Sequence, residues 1–304
     1  MLRYTDITGM EVDKVQRAVE RLRAFEPKKG YYVAFSGGKD SQCIYHLCLR
    51  SGVKFDAHYN VTSVDPPELI RFIRKQYPSV SFDIPHDKDG NPLTMWNLIV
   101  RKRMPPTRLV RYCCDKLKEC GGKDRVVVTG VRWAESVRRK SNQGLITAFN
   151  RKAATVAQEN GAEYAGTLRG GIVMNYDDCA TRRTVEQCYR TMKVLLNPII
   201  DWSDEDVWEY LNEVERVPHC ELYDQGFERI GCIGCPMADT AAELERYPKY
   251  RDNYLRAFDR MIKARAAAGL RNDTFTDAQA VMDWWLGNER VAKVKGQLDL
   301  LEEE

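Results

Sequence analysis

No stretch of the 304 residues is apolar for long enough to cross a bilayer, so no helical membrane span is expected. The opening, Met1-Leu-Arg-Tyr-Thr-Asp6, lacks the apolar core of a secretory signal, and the cytoplasm is the expected compartment. Charge of one sign is scarce as well. Lys and Arg number 47 against 44 Asp and Glu, and a formal net charge of +3 does not by itself imply a nucleic-acid partner. There is no internal repeat and no low-complexity linker. A chain of this length holds one large α/β domain with appendages, or two small domains. Its 43% hydrophobic and 10% aromatic content is ordinary for a soluble globular protein.

Cysteine, by contrast, is plentiful, at ten residues. In a cytosolic chain these read as metal ligands, redox groups or buried thiols rather than a disulfide framework. Four fall in close pairs, Cys113-Cys114 and Cys232-x-x-Cys235. Cys43 and Cys48 lie in a helical pattern and read as small buried apolar side chains.

The chain is organised around Tyr31-Tyr-Val-Ala-Phe-Ser-Gly-Gly-Lys-Asp-Ser41. A buried strand runs into a glycine turn, and an amphipathic helix follows over 42–50. Such a turn presents unpaired backbone N–H groups and the positive end of a helix dipole to one point, a seat for phosphate. Gly37 and Gly38 allow an oxygen to approach the main chain. Lys39 adds a cation, Ser36 and Ser41 add hydroxyls, and Asp40 fits if Mg²⁺ accompanies the nucleotide. A lone Gly-Gly would read as an ordinary turn. Six residues in this order after an apolar strand read as nucleotide binding.

Helical spacing over 12–25, 67–77 and 94–103 alternates with strand patterns over 55–62, 80–84 and 125–131. The apolar run Val126-Val-Val128 is the expected sheet centre. The expected fold is therefore α/β, a doubly wound parallel sheet. Ser36, Asp65 and Arg132 each follow a strand end, where such sheets collect their ligands. Residues 141–190 read as a basic insertion holding Arg151, Lys152, Arg169, Arg182, Arg183 and Arg190, with a helix over 150–159 and a hairpin through 172–174. It is either a groove for a polyanion or a solvated basic face. A strand over 194–200 and a helix over 203–214, capped by Ser203 with Asp206, restore the pattern. A charged helix over 240–268, interrupted at Pro248, and a last helix from 277 to the acidic end complete the chain. Trp284-Trp285 in that last helix either covers the core or forms the seam of a homodimer. The expected division is a nucleotide-binding domain over 1–236 and a C-terminal helical extension over 237–304.

Thr129-Gly-Val-Arg-Trp-Ala-Glu-Ser-Val-Arg-Arg139 follows the central strand. Gly130 would admit a ligand to the backbone, and Arg132, Arg138 and Arg139 supply planar donors suited to phosphate or sulfate. Glu135 and Ser136 would orient those arginines or bind ribose hydroxyls.

Ser36-Gly-Gly-Lys-Asp-Ser41, Arg111-Tyr-Cys-Cys-Asp-Lys-Leu-Lys118, Thr129 to Arg139, Asn197-Pro-Ile-Ile-Asp-Trp202, Asp206-Val-Trp208, Leu222-Tyr-Asp-Gln-Gly226 and Ile230-Gly-Cys-Ile-Gly-Cys-Pro236 stand in one order. Together they resemble the PAPS/APS reductase family of the PP-loop ATP pyrophosphatase superfamily, over 31–236 with the insertion interrupting. The resemblance implies an adenine nucleotide, ATP or PAPS/APS, at the glycine loop. It also implies a 4Fe-4S cluster held by Cys113, Cys114, Cys232 and Cys235. Four thiolates suit tetrahedral zinc as an alternative. Gly231 and Gly234 would give Cys232 and Cys235 freedom to face one ion or cluster. Adjacent Cys113 and Cys114 are sterically awkward, which leaves Cys120, Cys179, Cys188 or Cys220 as replacements for one of them.

The family's reductases carry a nucleophilic cysteine near the C-terminus in a Glu-Cys-Gly-[Leu/Ile]-His context, whereas the last cysteine here is Cys235. The resemblance thus implies, first, ATP-dependent adenylation of an acceptor, nucleic acid among the candidates, with a sulfur donor. Second comes reduction of PAPS or APS by a spare thiol with a thioredoxin-like reductant. The third reading is a nucleotide or cluster sensor without turnover.

Overall fold

The computed structural model describes residues 1–287 apart from 169, 272 and 274. Arg169 of the basic insertion, and the tail into which the last helix was expected to run, lie outside the described residues.

The chain opens with a hairpin that the sequence pattern did not reveal, β1 (Arg3–Thr5) against β2 (Glu11–Asp13). Helix α1 (Lys14–Ala24) follows, capped by Asp13, which accepts from the Gln16 amide at 2.9 Å. The expected alternation then appears as β3 (Tyr31–Ala34), α2 (Lys39–Ser51), β4 (Phe55–Asn60), α3 (Pro67–Gln76), β5 (Ser81–Asp83), α4 (Met95–Lys102) and β6 (Val126–Val128). Next come α5 (Val137–Asn142), β7 (Ile146–Ala148), α6 (Lys152–Asn160), β8 (Ala165–Gly166), β9 (Ile172–Met174), α7 (Cys179–Cys188), β10 (Val194–Leu196) and α8 (Asp204–Glu209). The chain continues through α9 (Thr240–Arg246), α10 (Pro248–Ala267) and α11 (Ala278–Gly287). Pro248 opens α10 rather than kinking one long helix, because proline suits a first turn, where its missing N–H has no partner to lose.

The main sheet runs β5-β4-β3-β6-β10-β7-β9-β8. Its first five strands are parallel, and the last three pairings are antiparallel. Val126, Val127 and Val128 are all buried, as expected of a strand covered on both faces. From β3 the winding goes to β4 on one side and β6 on the other, so the switch point lies beyond the carboxyl ends of β3 and β6. The 141–190 segment is less of an appendage than its sequence suggested: β7, β8 and β9 extend the same sheet.

The chain forms two compact units that interleave: 1–60, 67–83 and 120–230 make the first, and 61–66, 84–119 and 231–304 the second. The sequence reading drew a single boundary at 236. The second unit has its own core, in which Val64, Ile99, Leu117, Tyr254, Phe258 and Trp285 share one apolar cluster. That shared burial ties the 84–119 segment to the C-terminal helices. Trp285 donates its indole N–H to the Pro106 carbonyl at 2.8 Å, and Trp284 meets Phe275 edge-on at 5.2 Å, so both rings pack inside their own unit. Among the described residues no helix is long and apolar enough to cross a membrane.

Candidate functional site: a glycine loop and a cysteine cluster

In the first unit, β3 ends at Ala34 and α2 begins at Lys39, with the glycine turn between them at the sheet's switch point. Gly37 has φ +73°, and a Cβ there would lie 2.7 Å from the side chains of Ile73 and Leu69. Both facts demand glycine. Gly38 caps α2 with no side chain of its own. Ser36 donates its hydroxyl to Ser41 at 3.2 Å, and Ser41 donates to the Gly38 carbonyl at 2.8 Å. The two hydroxyls therefore brace the loop from within, and both spend their protons on loop acceptors.

Lys39 extends across the mouth of the loop. Its ammonium lies 3.0 Å from the Glu228 carbonyl and 3.2 Å from Asp204, and its backbone N–H donates to the Tyr223 hydroxyl at 2.9 Å. Tyr223, Asp204 and Glu228 were not singled out from sequence. Tyr223 stood in a quoted motif, and Asp204 adjoins the recognised cap at Ser203, but nothing local marks either as a partner of a loop so distant in the chain.

Arg132 converges on the loop by a different route from that expected. Its side chain is 1% exposed, its Nε donates to Asp40 at 2.6 Å, one terminal nitrogen donates to the Trp202 carbonyl at 3.3 Å, and the other to Asp204 at 3.0 Å. All three donating nitrogens face protein acceptors, so the guanidinium pins α2 to α8 instead of presenting itself to phosphate. Burial alone would pull the Arg132 pKa down, but the two carboxylates outweigh it and hold it up. Burial likewise pushes the Asp204 carboxyl up, yet Arg132 and Lys39 bring it below its ordinary value. Gly130 serves the same junction: a Cβ there would lie 2.8 Å from both the Asp40 Cβ and its carbonyl oxygen. The close approach predicted at this glycine is made by helix α2.

Of the remaining residues, Ser136 accepts from the Arg139 amide at 3.2 Å and caps α5, and Glu135 accepts from the Arg132 amide at 3.1 Å. Arg139 pairs with Glu135 at 3.2 Å, while Arg138 is exposed. Glu135 thus holds the Arg139 guanidinium, whereas Ser136 meets only the backbone of that residue. Asp65 belongs to the second unit and accepts from the Thr62 amide and hydroxyl at 2.8 and 2.7 Å.

All four paired cysteines lie in the second unit. Cys113 precedes a π-helical turn, Cys114–Lys118. Cys232 and Cys235 flank a tight turn in which the Cys235 amide donates to the Cys232 carbonyl at 3.2 Å. The turn is anchored from several sides: Glu243 accepts from the Gly234 amide at 2.8 Å, Tyr254 donates to the Ile233 carbonyl at 2.9 Å, and the Ile233 amide donates to the Val64 carbonyl at 2.8 Å. Gly234 has φ +74°, and its bare Cα faces the Tyr254 and Trp285 rings. Gly231 has open space around it.

A hydrogen bond to Cys114, then burial, then the nearby charges of Cys114, Cys232 and Cys235 raise the Cys113 thiol well above its ordinary range. The four sulfurs therefore share one electrostatic neighbourhood. Cys114 is lowered, as acceptor of that bond and neighbour of Lys118 and Arg111. Burial raises Cys232, against the pull of the Lys118 ammonium. Among the described residues no three His, Cys, Asp or Glu side chains are set to hold a single metal ion. Four thiols from Cys113, Cys114, Cys232 and Cys235 are a donor type that suits an iron–sulfur cluster or zinc. Cys120, Cys179, Cys188 and Cys220 belong to the first unit, the former two exposed and the latter two buried.

Comparison with known proteins bears on the family. Residues 30–238 match the family model of the phosphoadenosine phosphosulfate reductase domain. An uncharacterized protein of Methanocaldococcus jannaschii is 25% identical over 95% of this chain and 63% of its own length, and a second from that organism is 26% identical over 73% and 40%. The chain thus spans less than two thirds of either relative. The adenosine 5'-phosphosulfate reductase of Neisseria meningitidis is 49% identical over 47 residues, which is 16% of this chain and 19% of that one. Among solved structures, the phosphoadenylyl-sulfate reductase of Candida auris in a phosphate complex is similar at 15% identity and a TM-score of 0.39, covering 71% of this chain and 87% of that one. With a family model matched over more than half its length, the chain belongs to the phosphoadenosine phosphosulfate reductase family.

Proposed function

We propose that the glycine loop holds the phosphates of an adenine nucleotide and that the protein uses ATP to adenylate an acceptor, releasing pyrophosphate, in preparation for sulfur transfer. The observation that carries this reading is the Gly37–Gly38 turn at the sheet's switch point, with Lys39 laid across it. An acceptor oxygen attacks the α-phosphorus, the bond to the bridging oxygen breaks, and pyrophosphate leaves with the electron pair. A sulfur nucleophile then displaces AMP. The chain contributes position and charge: loop amides and Lys39 on the leaving pyrophosphate, and Arg138 and Arg139 toward the α-phosphate.

Asp40 uses Oδ1 for Arg132, and its other oxygen has no partner among the described residues, which suits a hard cation. Mg²⁺ bound there would neutralise the pyrophosphate charge. Arg132 acts as a positioning residue for Asp40. Cys113, Cys114, Cys232 and Cys235 would hold a 4Fe-4S cluster, or zinc as the alternative, supplying electron transfer in the first case or structural closure in either. Exposed Arg151, Lys152, Arg182, Arg183 and Arg190 are the reason to include nucleic acid among the acceptors assayed.

Incubation with ATP and Mg²⁺ over a panel of acceptors should release pyrophosphate and AMP, and absence of release across the panel would overturn the adenylation step. The short-range likeness to adenosine 5'-phosphosulfate reductases favours a second reading, reduction of APS or PAPS to sulfite. Cys120 and Cys179, the exposed thiols outside the paired set among the described residues, would then be the attacking groups. Sulfite formation that survives Cys120→Ser and Cys179→Ser would exclude them.

A further inference from the structure

Residues 220–230 form a strap whose turns are closed by Tyr223 N–H to the Cys220 carbonyl at 3.0 Å and Gly226 N–H to the Tyr223 carbonyl at 3.1 Å. Leu222 beside it is fully buried and anchors the strap. The Tyr223 ring is held edge-on by Trp208 at 5.1 Å and by His219 at 6.1 Å. Its hydroxyl oxygen therefore stands at a fixed point, accepting the Lys39 backbone N–H at 2.9 Å. That amide opens α2 and is one of the donors such a loop normally offers to an anion.

A phenol that accepts a hydrogen bond still has its own proton to donate. Among the described residues no acceptor receives it. A Cβ built on Gly38 would lie 3.3 Å from the Tyr223 oxygen and 3.5 Å from the Ser36 hydroxyl, so both hydroxyls and the bare Gly38 Cα border one spot over the loop. Burial keeps the Tyr223 phenol protonated well beyond the physiological range, so it remains a donor.

We propose that Tyr223 completes the phosphate seat, donating its O–H to a phosphate oxygen of the bound nucleotide while it accepts the Lys39 amide. The amide then acts through the phenol, and its donation strengthens the outgoing O–H. This rests on the nucleotide reading above.

The test is calorimetric titration of wild type and Tyr223→Phe with pyrophosphate, Mg-ATP and adenosine. Phenylalanine retains the ring contacts and loses only the hydroxyl, so the melting temperature and adenosine binding should hold. Affinity for pyrophosphate and Mg-ATP should fall about 10- to 100-fold, the range for one hydrogen bond to a charged group. Unchanged pyrophosphate affinity in Tyr223→Phe overturns the proposal, and so does tighter binding, which would make the phenol a plug. If wild type binds none of the three ligands, the nucleotide reading fails first and takes this inference with it. Should Tyr223→Phe fail to fold, Gly38→Ala places a methyl on the same spot with Tyr223 intact. Retained pyrophosphate affinity in that variant overturns the proposal equally.

Discussion

Replacing Arg132 by methionine separates a pin from a phosphate ligand. Methionine keeps much of the stem and removes three hydrogen bonds, to Asp40, the Trp202 carbonyl and Asp204. Breaking a fully buried ion pair costs about 3–5 kcal/mol. Here Asp40 is 29% and Asp204 55% exposed, so water recovers part of the unpaired carboxylate energy. About 2–3 kcal/mol remains, which for a unit of this size lowers the melting temperature by about 4–12 °C. Asp204→Asn, at the exposed end, should cost under about 1 kcal/mol. The double variant Arg132→Met/Asp40→Asn should lose less than the sum of its parts, because the neutral amide that replaces the Asp40 carboxylate no longer needs a cation. Calorimetric melting and urea unfolding of wild type, the single variants and the double variant measure all of this. An Arg132→Met protein that melts with wild type yet binds ATP more weakly would refute the reasoning and return Arg132 to the phosphate.

Gly130→Ala drives a methyl into the Asp40 backbone at 2.8 Å, and should cost about 1–3 kcal/mol in urea unfolding; a wild-type midpoint would show that α2 can retreat freely. Gly234→Ala meets both a left-handed backbone and the Tyr254 ring at 2.8 Å, so it should destabilise by about 2–4 kcal/mol, whereas Gly231→Ala, in open space, should stay near neutral; equal effects would count against the ring contact. Burial raises the Asp206 carboxyl, but Lys14 and the Ser203 amide outweigh it and hold the group below its unfolded value of 3.8. Its stabilisation is therefore present above pH 3.8 and lost as pH falls through the lower folded value. Asp206→Asn should cost about 1–2 kcal/mol at neutral pH, and the gap to wild type should close in acid; a gap independent of pH would rule out the charge.

Local pattern carried a good deal. Helix periodicity, the apolar Val126-Val-Val128 strand, the Ser203–Asp206 capping box and the glycine turn all depend on residues within a few positions of one another, and each is found where expected. The β1–β2 hairpin was missed because three-residue strands with mostly exposed side chains leave little periodicity to read. The strands of the insertion were undervalued for a related reason. Their register depends on pairing with β10, and β10 lies beyond them in the chain.

By itself the amino-acid order determined the parallel part of an α/β sheet, a glycine turn at a strand end and two cysteine pairs, because propensity and spacing act over short range. The tertiary structure decided what each polar group faces. It gave Arg132 to Asp40 and Asp204, Gly130 to the backbone of α2, and the Lys39 amide to a tyrosine 184 residues away. Those assignments follow from where buried charges and unpaired N–H groups find partners once the chain is packed, and the burial that forces the choice is a property of the folded whole.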